Sequence, residues 1–231
     1  MAENSDRLVL FDVDGTLVSA GRVARESILA ALSSVLGWEG SSDGNDFSGK
    51  TDPQILRELV LESVGAKRFE TALSDVLDRY VEELRRRLRP EAVVPKPGVP
   101  ALLERLSAEP RVTLGLLTGN IERGARIKLE PPGFNRYFRF GAFGDDSPDR
   151  YCLPPIALAR ARESTGKEFS AGSVVIIGDS VHDVACGRSL GARAIAVATG
   201  PTPAEKLAAE RPHALFFDFS DVETAVGAIL V

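Results

Sequence analysis

Cysteine and long apolar runs are scarce in this chain, and it carries no excess of positive charge. Its two cysteines, Cys152 and Cys186, form no CxxC pair and have no histidine cluster near them, which disfavours a disulfide framework and a structural zinc site. No apolar run approaches the roughly 18 residues that cross a bilayer, and the first residues lack the basic and apolar regions of a signal peptide. We therefore expect a cytoplasmic protein whose two reduced thiols take no part in its function.

The balance of charged residues limits the partners of the protein. The 28 Lys and Arg residues against 33 Asp and Glu give a net charge of −5, which disfavours nonspecific binding to nucleic acid or to an anionic membrane. We expect neither of these partners and favour a small molecule instead. The length of 231 residues suits one large or two modest domains, and it leaves a monomer and a homodimer equally open.

Short apolar runs recur along the chain with helical material between them. They lie at residues 8–11, 112–117, 174–177 and 194–197. Runs this apolar are typical of strands buried on both faces, as in a parallel sheet that is covered by helices. The sequence therefore predicts an α/β fold.

Residues 19–95 differ from the rest because helical spacing dominates and no clear strand is visible. Serine, alanine and glycine at residues 19–21 form one plausible hinge, and the stiff PKPG sequence at residues 95–98 forms the other. A helix is expected next, over residues 99–107. We predict an inserted all-helical unit at 19–95 and a core made of residues 1–18 and 96–231.

Three of the apolar runs end in a polar residue followed by a turn. Asp12 and Asp14 follow the first run, residues 118–120 (TGN) follow the second, and Asp179 follows the third. A single aspartate at such a junction is usually only solvated. In an open parallel sheet, however, the ligand crevice lies outside the carboxyl ends of the strands, so all three sets can meet there.

A fourth carboxylate belongs to the same group. If a helix starts at Val181, Asp183 can turn back toward the end of the sheet that carries Asp179. Carboxylates gathered around one crevice raise one another's pKa values, so the cluster implies a bound cation. Hard oxygen ligands with room for water and phosphate favour Mg2+ over zinc.

Three motifs now carry a resemblance to a known family. They are DVDGT at residues 12–16, LTGN at 117–120 and GDSVHD at 178–183. In order and spacing the chain resembles the haloacid-dehalogenase-superfamily hydrolases of the phosphoglycolate-phosphatase or β-phosphoglucomutase type, over essentially its whole length. The resemblance implies a Rossmann-like core with a mobile helical cap inserted after the first motif, which corresponds to residues 19–95.

The resemblance also implies roles for individual residues. Asp12 is expected to be the nucleophile that forms an aspartyl-phosphate, and Asp14 the group that protonates the leaving oxygen and later deprotonates water. Thr118, with a backbone N–H of Gly119 or Asn120, is expected to bind the phosphoryl oxygens.

The metal shell follows from the same resemblance. Asp12 and Asp179 are expected to ligate Mg2+ directly, and Asp14 through its backbone carbonyl. Asp183 is expected to act through water or to orient the shell.

The main departure concerns the lysine that the family usually carries before a proline. By spacing, Arg150 occupies this position; its guanidinium keeps the charge and can grip phosphate and Asp12, but it is wider and more rigid than an ammonium. Lys128 is the alternative cation, and its other interpretation is an exposed helix lysine. Lys50 lies in a loop that in the resembling proteins dips into the active site, so it is either a contact for a carboxylate or second phosphate, or a surface lysine.

The sequence thus favours a Mg2+-dependent phosphatase acting on a small phosphorylated metabolite of the phosphoglycolate or sugar-phosphate class. A phosphomutase has the same core residues, and a non-catalytic binding protein is suggested by the missing lysine. A dehalogenase is disfavoured because the resembling enzymes lack an acid at the position of Asp14. Phosphonate hydrolysis needs a cap lysine near the first motif, and Lys50 lies too far along the chain.

Overall fold

A parallel sheet forms the centre of the protein. The computed structural model describes residues 6–231, and within them the strands are β1 (Arg7–Phe11), β2 (Val18–Ser19), β3 (Val94–Pro95), β4 (Val112–Leu117), β5 (Gly141–Ala142), β6 (Val174–Gly178), β7 (Arg193–Val197) and β8 (Ala214–Phe216). Six of them form the sheet in the order β5-β4-β1-β6-β7-β8, with every pairing parallel. The predicted α/β fold and its four apolar strands are therefore confirmed.

Helices cover both faces of this sheet. They are α4 (Val99–Ser107), α5 (Glu122–Leu129), α6 (Leu153–Thr165), α7 (Val181–Leu190), α8 (Ala204–Ala209) and α9 (Val222–Leu230). Because successive residues of a strand point to opposite faces, Val9 and Phe11 belong to one buried cluster, while Leu8 and Leu10 belong to another. The helix predicted over residues 99–107 and the helix start predicted at Val181 are both confirmed.

Three further helices lie between β2 and β3. They are α1 (Val23–Leu36), α2 (Asp52–Val64) and α3 (Ala66–Arg87). Their apolar faces share a cluster of their own, built around side chains such as Leu32, Leu56 and Tyr80, and Ile121 and Ile127 from the α5 region join it. This packing ties the helical segment to the part of the core that follows β4.

The two connections to the helical segment run side by side. Val18 pairs with Pro95 and Ser19 with Val94, in an antiparallel ribbon. The expectation of a segment without strands at 19–95 is therefore wrong at both edges, where Ser19 and Val94–Pro95 belong to short strands. The division into a core and an inserted unit stays a prediction. No helix of the described chain combines the length and apolar character needed to cross a membrane.

Candidate active site

A cavity of about 470 Å³ opens at the carboxyl ends of β1, β4 and β6, beneath the helical segment. The residues predicted from the sequence that line it are Asp12, Asp14, Lys50, Thr118, Gly119, Asn120, Arg150 and Asp179. Parallel strands bring these chain segments together because their carboxyl ends share one edge of the sheet. Asp183 lies beside the cavity, where it contacts Arg150.

Three buried carboxylates form the floor of the site. Asp12, Asp179 and Asp183 each offer an oxygen, and these oxygens all lie within 4.8 Å of one another. Burial and the neighbouring carboxylates raise the pKa of Asp12 to about 7, although Arg150 opposes the shift. Burial, together with the charges of Asp12 and Asp183, raises the pKa of Asp179 well above its ordinary value. A group of hard oxygen donors with this much unfavourable charge fits a divalent cation.

The backbone around Asp179 is shaped to fit its side chain. A Cβ on Gly15 would lie 2.5 Å from the carboxylate, and a Cβ on Gly200 would lie 1.6 Å from it. Both positions therefore require glycine, and Gly15 also adopts a positive φ of 86°. Thr16 donates its hydroxyl to Asp179 at 3.1 Å. The turn after Asp14 thus builds one wall of the carboxylate group.

Asp183 is held by the first turn of α7. Its Oδ2 accepts hydrogen bonds from the backbone N–H and the hydroxyl of Ser180, at 3.0 and 2.6 Å, and Ser180 in turn caps the helix. This reciprocal pair is a capping box. It fixes the carboxylate and leaves Oδ1 to contact the guanidinium of Arg150.

Arg150 lies in the middle of the carboxylates. Its Nη2 donates to Asp12 Oδ1 at 2.8 Å and also to Asp183 Oδ1. Burial lowers the pKa of this guanidinium, but Asp183 and Asp12 outweigh burial and raise the pKa. The side chain leaves a short 3-10 turn, Arg150–Cys152, which Asp149 caps. The structure therefore brings Arg150 to the carboxylate of Asp12.

Lys128 is a second cation in the same site. Its side chain is 2% exposed, and its Nζ donates to Asp14 Oδ2 at 2.6 Å and to Asn120 Oδ1. The interpretation of Lys128 as an exposed helix lysine is therefore wrong. The reason is its place on the buried face of α5. This face also carries Ala125, three residues earlier, and begins at Ile121, the residue before the helix.

Asn120 connects Thr118 to Asp14. Its Nδ2 donates to Asp14 Oδ2 and to Thr118 Oγ1, both at 2.8 Å. The backbone N–H of Asn120 also donates to Thr118 Oγ1, at 3.3 Å. Since Thr118 Oγ1 accepts these bonds, its own hydroxyl hydrogen can be donated to a ligand.

The start of α2 and the loop before it contact the core loop that follows β4. The backbone N–H of Asp52 donates to the Gly119 carbonyl at 2.7 Å, and its Oδ2 accepts from the Ile121 N–H at 2.9 Å. A Cβ on Gly119 would lie 2.0 Å from the Lys50 carbonyl oxygen, so this approach requires glycine. Burial raises the pKa of Asp52 to about 6, and Lys128 lowers it in part.

Three cations of the helical segment line the cavity, namely Arg22, Arg25 and Lys50. Lys50 lines it, but its Nζ already contacts Glu58 Oε2 at 2.6 Å. Arg25 also lines it; its Nε donates to Ser42 Oγ at 2.9 Å, and its guanidinium lies 4.6 Å from the centre of the Phe47 ring. The sequence analysis named Lys50 and missed Arg22 and Arg25.

The comparisons with known proteins agree with this geometry. The family model of the haloacid dehalogenase-like hydrolases matches residues 9–197. The chain belongs to this family. The resemblance stated from the three motifs is thereby confirmed, and the matched range spans every carboxylate of the site.

The alignments with relatives and with solved structures cover nearly the whole chain. A phosphoglycolate phosphatase of Pseudomonas syringae pv. syringae is 26% identical over 216 residues, which are 92% of this chain and 76% of that protein. Pyrophosphatase PpaX of Bacillus pumilus is 25% identical over 234 residues, covering 99% of this chain and all of the relative. The crystal structure of a hydrolase from Pseudomonas syringae shares the fold, with a TM-score of 0.72 and 19% identity, and covers 97% of this chain and 99% of that one. These relatives agree with the predicted enzyme class, a phosphoric monoester hydrolase.

The sequence analysis of this hydrolase identified the carboxylates of the site. It missed the contact of Asp52 with the core loop. Thr51 caps α2, and Asp52, the first residue of that helix, contacts the core. No local pattern indicates that contact. Both cysteines are free, as expected, and Cys186 contacts the Arg150 carbonyl behind the site.

Proposed function

We propose that this enzyme is a Mg2+-dependent phosphatase that hydrolyses a small phosphorylated metabolite through an aspartyl-phosphate on Asp12. The observation that carries the proposal is the buried Asp12 carboxylate, which Arg150 holds at 2.8 Å within a group of three carboxylates. This group lies at the floor of a cavity of about 470 Å³. A fixed nucleophile beside a cation site is what in-line attack on phosphorus requires.

In the first step, an oxygen of Asp12 attacks phosphorus and the bond from phosphorus to the ester oxygen breaks. Arg150 keeps the Asp12 carboxylate in one orientation, because its Nη2 holds Oδ1. Asp14 gives a proton to the leaving oxygen, which retains the electron pair of the broken bond. Thr118, Gly119 and Asn120 bind the phosphoryl oxygens through the hydroxyl and backbone N–H groups.

In the second step, water attacks the phosphorus of the aspartyl-phosphate. Asp14 removes a proton from this water, inorganic phosphate leaves, and the carboxylate of Asp12 is regenerated. The side chain of Asp14 is 41% exposed and lines the cavity, so it can reach both the leaving oxygen and the incoming water.

The residues that would hold Mg2+ are Asp12, Asp179 and Asp183, together with the backbone carbonyl of Asp14. Their donor set consists only of oxygens, which suits this hard cation. Bound Mg2+ would offset the charge of the carboxylates and of the phosphoryl group. Arg150 supplies the further positive charge for which the family usually has a lysine.

The substrate, we propose, is a small phosphate ester of the phosphoglycolate or sugar-phosphate class. Three cations of the helical segment line the cavity, namely Arg22, Arg25 and Lys50, which suits a leaving group with a carboxylate or a second phosphate. Lys50 would exchange Glu58 for this group. We also propose a cytoplasmic protein without a nucleic-acid or membrane partner; the net charge of −5 supports the second point, because it disfavours binding to these anionic surfaces.

The test is phosphate release from phosphoglycolate, pyrophosphate and hexose phosphates, with and without Mg2+, by the wild type and by Asp12→Asn. We expect release that requires both Mg2+ and Asp12. Release that persists in the chelated wild type or in Asp12→Asn would contradict the mechanism. Transfer of phosphate between two positions of a sugar, without release, would indicate a phosphomutase instead.

A further inference from the structure

Lys128 is a buried cation that lies outside the three motifs. It projects from the last turn of α5, and its side chain is 2% exposed. An ammonium group this buried is unfavourable unless it is paired and hydrogen-bonded. Its partners are Asp14 Oδ2, at 2.6 Å, and Asn120 Oδ1. The contacts therefore direct this charge at the proposed acid and base and not at the nucleophile, which Arg150 already holds.

The two hydrogen bonds that hold Asp14 go to the same carboxylate oxygen. Oδ2 accepts from both Lys128 Nζ, at 2.6 Å, and Asn120 Nδ2, at 2.8 Å. Among the described residues 6–231, no hydrogen-bond donor contacts Oδ1. The carboxylate as a whole is 41% exposed and lines the cavity. One oxygen is thus anchored, and the other is left for proton exchange.

Lys128, Asn120 and Asp14 form a closed triangle of contacts. Asn120 accepts from Lys128 through Oδ1 and donates to Asp14 through Nδ2. All three residues lie outside the helical segment of residues 19–95. The contacts among them therefore involve no residue of that segment. Two donors on a single oxygen restrict rotation of the Asp14 side chain, which is what a proton donor in a fixed geometry needs.

We propose that Lys128 is a positioning residue, which anchors Asp14 through Oδ2 so that Oδ1 faces the leaving oxygen in the first step and the water in the second. The inference rests on the proposed function. The proton on Oδ1 passes to the ester oxygen as the bond to phosphorus breaks, and Oδ1 takes a proton from water as phosphate is released. Lys128 makes no contact with the phosphoryl group in this role, which distinguishes it from Arg150.

The test compares Lys128→Met with the wild type on two substrates. Methionine has a similar length and is apolar, so it suits the buried position and the fold is expected to persist. An alkyl phosphate needs proton donation to its leaving oxygen, whereas p-nitrophenyl phosphate has a leaving group that departs as an anion. We expect kcat for the alkyl phosphate to fall by about 10- to 100-fold. The initial burst of p-nitrophenolate, which reports the first step, should change by less than about threefold.

A double-mutant cycle shows whether Lys128 acts through Asp14. In an Asp14→Asn background, Lys128→Met should cause no further loss of the first step, because the group that it positions is gone. Lys128→Arg should recover part of the alkyl-phosphate activity. Arg105→Met, which removes an exposed cation on α4, is the matched control and should behave as the wild type.

Three results would overturn the inference. They are an equal loss on both substrates, a further loss in the Asp14→Asn background, and wild-type kinetics of Lys128→Met on the alkyl phosphate. The first two would assign Lys128 to phosphate binding or to structure. Failure of the proposed function itself has a different signature, since the wild type would then show no Mg2+-dependent release from either substrate.

Discussion

The two walls of the cavity differ in how their charged side chains are held. On the sheet wall, Asp12, Arg150 and Lys128 are buried and contact one another or neighbouring carboxylates at 2.8 Å or less. On the helical wall, Arg22 is exposed and the Lys50 ammonium contacts the partly exposed Glu58; of its cavity-lining cations, Arg25 is the one held by several partners, including Ser42. Buried charge requires fixed partners, whereas exposed charge tolerates substitution. We therefore expect substitutions on the sheet wall to affect the chemical step and substitutions on the helical wall to affect the choice of substrate.

The largest expected effect is that of Asp12→Asn, because it removes the proposed nucleophile from the sheet wall. Turnover should fall by about 10⁴-fold or more. The fold should persist, since asparagine has the same shape and Arg150 keeps its contact with Asp183. Steady-state phosphate release measures the loss, and circular dichroism checks the fold. Turnover above about one hundredth of the wild-type rate would remove Asp12 from the nucleophile role.

The second largest effect is expected for substitutions of Arg150. Comparing alanine with lysine at this position separates the effect of the charge from that of the guanidinium shape. Arg150→Ala leaves Asp12 and Asp183 without the cation between them, so we expect kcat to fall by about 100- to 1,000-fold. Arg150→Lys keeps the charge but loses the fork geometry, and should recover part of the rate. Parallel Mg2+ titrations distinguish a chemical effect from a weakened cation site. Wild-type turnover in Arg150→Ala would make Lys128 the functional cation.

The residues that could be predicted from the sequence share one property. Asp12 and Asp179 each follow directly after an apolar strand, so the parallel topology alone brings them together. The four strands that the sequence analysis missed, β2, β3, β5 and β8, have only two or three residues each, which is too short to give a strand pattern. The carboxylates at the strand ends of the sheet wall were thus predictable because local pattern and topology agree there.

The remaining contacts depend on tertiary packing. Lys128 and Asp14 are 114 residues apart in the chain, and their contact depends on the rotation of α5 about its axis. Asp52 reaches Ile121 only because the helical segment docks on the core loop. No residue pattern near Asp52 encodes that docking. The contact of Lys128 with Asp14 and the contact of Asp52 with Ile121 could therefore not be assigned before the structure was known.

The docking contact between the two walls has a measurable pH dependence. Burial raises the pKa of Asp52 from about 3.8 to about 6. Because this folded-state pKa lies above the unfolded value, Asp52 favours folding most when protonated, and this contribution is lost as pH rises from about 4 through 6. The free energy of unfolding of Asp52→Asn minus that of the wild type should therefore increase by about 2 to 3 kcal/mol over this range and level off above about pH 7.

Chemical denaturation at several pH values, with Mg2+ chelated, measures this difference. Asp75→Asn, at an exposed position of α3, is the control for the pH dependence common to any change of this type. A difference that stays flat between pH 4 and 7, or that changes in the opposite direction, would show that Asp52 is not the buried carboxylate described here.

The smallest effects are expected on the helical wall, where Lys50→Ala gives the sharpest contrast with Arg150→Ala. Lys50 is partly exposed and must release Glu58 to reach a substrate, so its contact should contribute only about 1 kcal/mol. We expect KM for phosphoglycolate to rise about three- to tenfold with kcat nearly unchanged, which is the signature of lost ground-state binding. Lys67→Ala, at an exposed position of α3, is the matched control. If Lys50→Ala changes neither constant while Arg25→Ala raises KM, the fixed guanidinium of Arg25 binds the distal group and Lys50 is a surface residue.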